Sequence, residues 1–499
     1  MSDGPLAAGA EDVGVGGLLD ACSARGDGRR ILPCASRLDT GRPDTGRPDT
    51  RAGAPALTAP PVTAPSDVVS SPATIRKVVG ASIIGTTIEW YDFFLYGTAA
   101  ALVFNRLFFP ESDPLVGTML AFATYALGFF ARPLGGIVFG HYGDRIGRKR
   151  LLMLSLVLMG GATVLIGCLP TYDQVGLWAP AMLVALRLVQ GFAVGGEWGG
   201  AVLIVAEHGD AARRGFWTSW PQAGVAAGSL LASAVLTVMA VTQSEADFLA
   251  WGWRVPFLIS VVLIAVGYWI RSAVDESPTF KALAAEQAAL PKAPVVEAIR
   301  TRPWAIVVGG GLKFAENISY YIVSVFTITY VTQKLGLSRG TALNAILIAS
   351  AVHVVSIPFF GWLSDRIGRR PVYAAGAFGM MLWAFAFFAL LDTADPTLIV
   401  LACVGALVFH AAMYGPQAAF LAEMFPTRMR YSGASLAYQV TSIFAGSLAP
   451  LIAAALLAAT MSGTPIAIYV ATASLITGIA ALAARETRGK TFAEIDAES

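Results

Sequence analysis

Between Leu151 and Leu169 the chain reads LLMLSLVLMGGATVLIGCL, without one charged side chain. A helix of that length rises about 28 Å at about 1.5 Å per residue, close to the hydrocarbon thickness of a bilayer. Comparable runs occupy 115–139, 217–241, 371–391 and 465–484. With 56% hydrophobic and 14% charged residues and a mean hydropathy of +0.63, the chain is too apolar for a soluble globular protein, in which about a quarter of residues are charged. The expected fold class is therefore an all-α polytopic membrane protein.

From Lys77 onward twelve apolar spans are expected, at 78–104, 115–139, 151–169, 176–205, 217–241, 255–271, 303–332, 341–360, 371–391, 396–421, 432–457 and 465–484. The widest gap separates six spans from six. This predicts an N-terminal bundle over 75–273, a linker over 274–302, a C-terminal bundle over 303–484 and a short tail over 485–499. Residues 1–74, with the tandem DTGRPDTGRPDTR (Asp39–Arg51), have neither the periodicity nor the apolar content to fold, and are expected to be disordered. They contain no signal-peptide core. No Met follows Met1 before Met119, and a natural start near Val68 is expected. Cys22 and Cys34 fall in this segment, while Cys168 and Cys403 fall in spans and read as buried small hydrophobes, so no disulfide framework is expected.

Basic residues set the orientation. The connections and tail on the C-terminal side of an even span count hold nineteen Lys and Arg, against four (Arg106, Arg254, Lys334, Arg339) on the other side. Both termini are expected in the cytoplasm. The net charge of +2 thus reflects topology and carries no nucleic-acid signal.

Two of the basic connections are nearly the same. GHYGDRIGRKR (Gly140–Arg150) joins spans 2 and 3, and GWLSDRIGRRP (Gly361–Pro371) joins spans 8 and 9, 221 residues later. Equivalent places in two halves imply a duplicated six-helix unit, as in transporters that rock two bundles about a central site. The motif suits a tight turn. Gly140 and Gly361 permit close backbone approach or a sharp bend. Asp144 and Asp365 can bind free N–H groups at a helix start. Arg145, Arg148, Arg366 and Arg369 can fork onto carboxylates or carbonyls. Contacts of this kind form a conformational gate, whereas topogenic charge alone explains the Arg and Lys but not the paired Gly and Asp.

The pattern resembles the signature loop of the major facilitator superfamily, which recurs between helices 8 and 9. EWYDFFLYG (Glu89–Gly97), ARPLGGIVFGHYGDRIGRKR (Ala131–Arg150), LRLVQGFAVGGEWGGA (Leu186–Ala201), WGWRVPF (Trp251–Phe257), DESPTF (Asp275–Phe280) and EMFPTRMRYSGASLAYQ (Glu423–Gln439) are similar to its metabolite:proton symporter branch. Span 1 and RYSGASLAYQ are most like shikimate-carrying members. The resemblance covers 75 to about 490. It implies twelve transmembrane helices in two pseudo-symmetric bundles and proton-coupled uptake of a small organic acid in a bacterial inner membrane. It leaves 2-oxoglutarate, citrate, proline or betaine as alternative substrates.

Charges inside spans are costly and therefore functional candidates. Glu89 and Asp92 in span 1 are three apart, on one helical face near mid-membrane. Span 2 carries Arg132, span 4 Arg187 and Glu197, and span 7 Lys313 and Glu316. If each base in the first half pairs with one acid, one carboxylate is left over. Burial disfavours its charged form, so it can take up and release a proton. Asp92 is the first choice for proton coupling and Glu89 the second. Arg132 and Arg187 suit an anionic substrate; alternatively they lock helices to Glu197 and its neighbours, or Arg132 snorkels to the interface. Lys313 and Glu316 bind substrate or merely neutralise one another. His410, Tyr414 and Gln417 share a face as a polar cavity lining would, and Gln222, Tyr438 and Gln439 can add hydrogen bonds. His353 and His410 suit hydrogen-bonded packing better than proton transfer. Gly191, Gly195 and Gly199, like Gly224 and Gly228, recur every fourth residue, as close helix packing requires.

No metalloprotease motif, His/Cys cluster or nucleophile elbow is present, so no catalytic or metal-binding residue is expected and the chain reads as a non-enzyme. No cofactor is expected beyond the proton as coupling ion. The expected partners are a small-molecule substrate and the lipid bilayer, with no nucleic acid, and the working form is a monomer. Uniport or antiport competes with symport, and a transporter-like sensor is the alternative from another class.

Overall fold

A spanning segment in lipid must pair every backbone N–H and C=O within itself, so an apolar run of this length becomes a helix. The computed structural model describes residues 72–146, 148–195, 202–203, 205–206, 209–273 and 294–498, with the side chains of 72–74, 137, 140–152, 271–273, 294–296 and 428 left aside. Among the described residues each expected span falls on a helix. The first half holds α1 (Pro72–Ala99, continued by a π-helical stretch Ala100–Phe104), α2 (Pro114–Ile146), α3 (Arg148–Gly167), α4 (Trp178–Val194), α5 (Arg214–Thr242) and α6 (Arg254–Ala273). The second holds α7 (Pro303–Tyr321, continued by π-helical Ile322–Phe326 and Tyr330–Lys334), α8 (Arg339–Ile367), α9 (Arg369–Leu391) and α10 (Pro396–Glu423). It ends with α11 (Arg430–Thr441, Ser442–Ser447 and Ala449–Thr460) and α12 (Thr464–Ala483). Most of the linker and residues 1–71 lie outside the described residues; the linker's end, Pro294–Thr301, is helical.

Three expectations are corrected. The helix begins at Pro72, inside the segment expected to be disordered, because proline is well suited to a first helical turn. The signature motif is not a loop throughout. In both halves its first seven residues continue the preceding helix, to Ile146 and to Ile367, because a helix outlasts the apolar stretch that crosses the lipid. The turn of the second copy is confined to Gly368, whose φ of 112° is open to glycine and strained for any side chain. Cys168 is exposed at the end of α3 rather than buried.

The two halves meet chiefly through α5 against α8 and α10, and through α2 against α11; the α5–α8 and α2–α11 contacts exchange when the halves are exchanged. Leu134, Val241, Val355 and Leu382 are exposed on the outside, as lipid-facing residues should be. Helices within the first half approach backbone to backbone. A Cβ on Gly191 would stand 1.9 Å from the Gly128 carbonyl oxygen, and one on Gly195 2.0 Å from that of Arg132. Gly224 and Gly228 are pressed against α1 in the same way. Gly199 lies outside the described residues. Gly191→Leu is therefore expected to prise α4 from α2, at a cost of about 3 kcal/mol or more. A thermal-unfolding midpoint in detergent within error of the unaltered protein would refute this packing role.

Candidate functional site

Where the halves meet, a cavity of about 10 Å³, room for roughly one water, is lined by Trp90, Val225, Lys313, Glu316, Asn317, Tyr320, Tyr321, His410, Tyr414 and Tyr438. Of the residues expected to bind substrate, Glu316, Tyr414 and Tyr438 line it. Lys313 and Glu316 do pair, with Nζ 2.7 Å from Oε2 and both side chains buried. Their contacts extend further. His410 Nε2 lies 3.2 Å from Glu316 Oε1, and Gln417 Nε2 donates to Glu316 Oε2 at 3.3 Å and to the Tyr373 hydroxyl at 2.9 Å. The Lys313 ammonium also rests 3.7 Å from the Tyr438 ring centre. Gln417 thus stands behind the cavity, orienting the acid, rather than on its wall. His353 Nε2 is 2.9 Å from His410 Nδ1.

The charges of the first half are arranged differently. Asp92 is 2% exposed and lies inside that half. It accepts a 2.6 Å hydrogen bond from Ser260 on α6, and the Thr163 hydroxyl of α3 faces the same carboxylate. Among the described residues no basic side chain lies within 4 Å of it. Thr163 accepts from Gln190 Nε2 at 2.8 Å, and Gln190 Oε1 accepts from Arg187 Nη1 at 3.1 Å. A polar path thus runs from Asp92 across α3 to α4. Glu89 is buried on α1, and Gln222 is buried on α5. Glu197 lies outside the described residues.

Among the described residues, which leave out Glu197, the acid expected beside it, Arg187 pairs with no acid of its own half. Its guanidinium sits over the rings of Phe93, Tyr96 and Tyr125 at 4.3–4.7 Å and donates to the Tyr125 carbonyl at 3.4 Å. Arg132 packs on Phe93 and Phe129 at 4.7 and 4.3 Å and on Trp90 at 5.8 Å. At 3% exposure it does not snorkel. Neither guanidinium lines the cavity. Aromatic faces suit both side chains because guanidinium is weakly hydrated and stacks well on them.

The second signature motif closes the end of the molecule that carries the C-terminal tail. Asp365 accepts from the backbone N–H groups of Gly215 and Phe216, both at 2.8 Å, at the free start of α5 in the other half. It also pairs with Arg369 at 2.6 Å. Gly361 permits this approach, since a Cβ there would stand 2.6 Å from Ser219. Arg369 reaches on to Glu423, which also receives Arg214 of α5 at 2.9 Å. Arg366 stands apart, exposed and stacked on Trp362 at 4.2 Å. The side chains of Asp144, Arg145 and Arg148 lie outside the described residues, and Gly140 is described only as part of the helical backbone.

The tail itself forms a strap over this cluster. Glu486 accepts from the backbone N–H groups of Arg369 and Arg370 at 2.9 and 3.0 Å, capping α9. Thr487 donates to Glu423, the Lys490 carbonyl accepts from Arg214, and the Phe492 ring lies against Arg214 and Arg430 at 3.8 and 3.5 Å. Sequence reasoning counted Arg214 and Arg430 only as topogenic charges and missed Glu423 and Glu486. Their position at span ends was the available signal. The opposite end is also bridged. Gln333 of α7 donates to Thr118 of α2 at 2.8 Å, and Arg339 of α8 to the Gln243 carbonyl at 3.2 Å. Among the described residues the halves are thus bridged at both ends.

Residues 82–450 and 312–497 match the profile of the Major Facilitator Superfamily. The chain is 42% identical over 416 residues to the shikimate transporter of Escherichia coli K12, covering 83% of this chain and 95% of that one. It is 36% identical over 417 residues to the proline/betaine transporter of the same organism, covering 81% and 83%. Among solved structures, a proton:xylose symporter bound to 6-bromo-6-deoxy-D-glucose superposes with a TM-score of 0.68 at 19% identity, over 85% of this chain and 99% of that one. That last likeness concerns the fold alone.

Proposed function

This chain belongs to the major facilitator superfamily of membrane transporters, and on that premise we propose that it takes up a small organic acid, shikimate or a related carboxylate, together with a proton. The observation that carries this reading is the cavity between the halves, where an ammonium, a carboxylate, tyrosine side chains and an indole converge. A hydroxylated ring acid needs such a set: a cation for the carboxylate, hydrogen-bonding groups for the hydroxyls and a flat face for the ring. The 42% identical shikimate transporter supports the substrate class. Alternating access then opens the tail-end gate and the opposite bridges in turn about this site.

In this scheme Asp92 carries the coupling proton, with Glu89 beside it on α1, and the path through Thr163 and Gln190 reports its state to Arg187. Arg132 meets the substrate from the α2 side when Trp90 moves. The protein works as a monomer in the inner membrane of a bacterium, with both termini in the cytoplasm. A second reading is favoured by the cavity's aromatic walls beside Glu316, which also suit the quaternary ammonium of betaine, as does the 36% identical proline/betaine relative.

Competition decides between them. In cells, uptake of labelled shikimate is expected to fall by at least 80% under tenfold excess carboxylate and to be unmoved by betaine, with alkalinisation of the medium as substrate enters. Competition by betaine alone would reject the anion reading. Uptake with no pH change in the medium would reject symport.

A further inference from the structure

His353 on α8 and His410 on α10 are buried, and their contacts fix where their protons lie. Glu316 receives the Lys313 ammonium at 2.7 Å and is therefore a carboxylate, which only accepts hydrogen bonds. The 3.2 Å contact to its Oε1 places a proton on His410 Nε2. A neutral imidazole then has Nδ1 as an acceptor, so the 2.9 Å contact from His353 Nε2 requires a proton on that nitrogen. His353 Nδ1 is left as an acceptor, and among the described residues it is buried with no hydrogen-bond partner. Three groups from α8, α10 and α7 thus line up in one direction. A bare lone pair stands at one end and half of an ion pair at the other.

We propose that His353 and His410 relay a proton to Glu316, and that its arrival frees Lys313 to hold the carboxylate of the substrate. This deepens the anion reading above and rests on it. The step balances. A proton binds His353 Nδ1, the His353 Nε2 proton passes to His410 Nδ1, and the His410 Nε2 proton passes to Glu316 Oε1. Each ring ends neutral with its tautomer reversed, and Glu316 ends as the acid. Lys313 keeps its charge and its place over Tyr438 but loses its counter-ion, and an incoming carboxylate replaces it. The reverse shift restores the Lys313–Glu316 pair and displaces the substrate, so proton and anion favour one another's binding.

The groups facing the relay are accounted for on each element around it. α7 presents Lys313, Glu316, Tyr320 and Tyr321, with the Tyr320 ring 4.8 Å from His410 and 5.5 Å from His353. α10 presents Tyr414, with its ring 5.2 Å from His410. α9 presents Tyr373 through Gln417, and α11 presents Tyr438 over Lys313. Arg132 of α2 reaches Trp90 in the cavity wall. From α5, Ser229 meets Ser350, one turn from His353, at 3.4 Å.

The test uses the full chain in proteoliposomes, with labelled shikimate as probe. In counterflow with equal pH on both faces, KM is expected to rise about tenfold per pH unit on the alkaline side, where Glu316 must first gain its proton. Glu316→Gln, which mimics the protonated acid, should bind with a KM that varies less than twofold between pH 5.5 and 8.5. His410→Gln and His353→Gln should lower the initial rate of pH-driven uptake at least tenfold, and His353→Gln, which stands outside the cavity wall, should move KM at pH 5.5 less than threefold. A Glu316→Gln protein that keeps the normal pH slope, or shows no exchange at pH 5.5, overturns the release of Lys313. Normal initial rates in the histidine variants overturn the relay. If the unaltered protein exchanges no carboxylate at all, the anion reading itself fails, and that is seen before any variant is made.

Discussion

Asp92→Asn is expected to abolish uphill accumulation, bringing the internal-to-external substrate ratio to one, while counterflow exchange stays within about threefold of normal. Asparagine keeps the shape and still accepts the hydrogen bond from Ser260, so the packing of α1 against α3 and α6 survives. It cannot take up or release a proton. In its dry setting, with no cation within 4 Å among the described residues, Asp92 is costly as a carboxylate and its protonation state is tied to conformation. A carrier locked in the protonated-like form exchanges substrate but cannot return empty in step with a proton. Paired measurements of accumulation and counterflow in the same vesicles read this directly. Uphill accumulation at the normal level in Asp92→Asn would remove this residue from the coupling scheme.

Glu423→Gln is expected to have the largest effect on the conformational equilibrium. Two buried guanidinia from opposite halves, Arg214 and Arg369, converge on this one carboxylate, with Thr487 as a third donor. Removing one partner of a buried ion pair costs about 3–5 kcal/mol, since the remaining charges stay desolvated. The cost falls on the state closed at the tail end and is relieved when the halves separate and water enters. A shift of at least a hundredfold toward that open state follows at 1.36 kcal/mol per decade. Ser219 faces Gly361 across this interface, so Ser219→Cys reports the opening. Its labelling by a membrane-impermeant maleimide from the tail side should accelerate accordingly, and an unchanged labelling rate would show that Glu423 does not hold the gate.

The twelve helices were legible because lipid leaves an apolar run no other way to satisfy its backbone. The buried charges were legible for a related reason: Asp92, Arg187, Lys313 and Glu316 have nowhere favourable to go but inward. What could not be read was how one helix meets another. Arg187 settles against three aromatic faces. His353 meets His410 across 57 residues of sequence, and Arg214 meets Glu423 across 209. Such pairings depend on helix rotation and depth, which side-chain packing sets and local periodicity does not encode. Residues at span ends were underread for a different reason. A basic residue there satisfies the topology rule whether or not it also holds a gate, so Arg214 and Arg430 carried no extra signal. The loop reading of the signature motif failed because apolar length marks the lipid thickness and not the helix end.

The strap formed by Glu486 to Asp496 has a practical corollary. Its aromatic ring lies between arginines of both halves, and its acid seals the start of α9. A purification handle or fluorescent reporter spliced directly behind Thr491 would tug on the closure itself. The same reporter held off by a flexible spacer would leave it alone. Engineered versions of this carrier are therefore best compared with their extreme carboxyl end untouched.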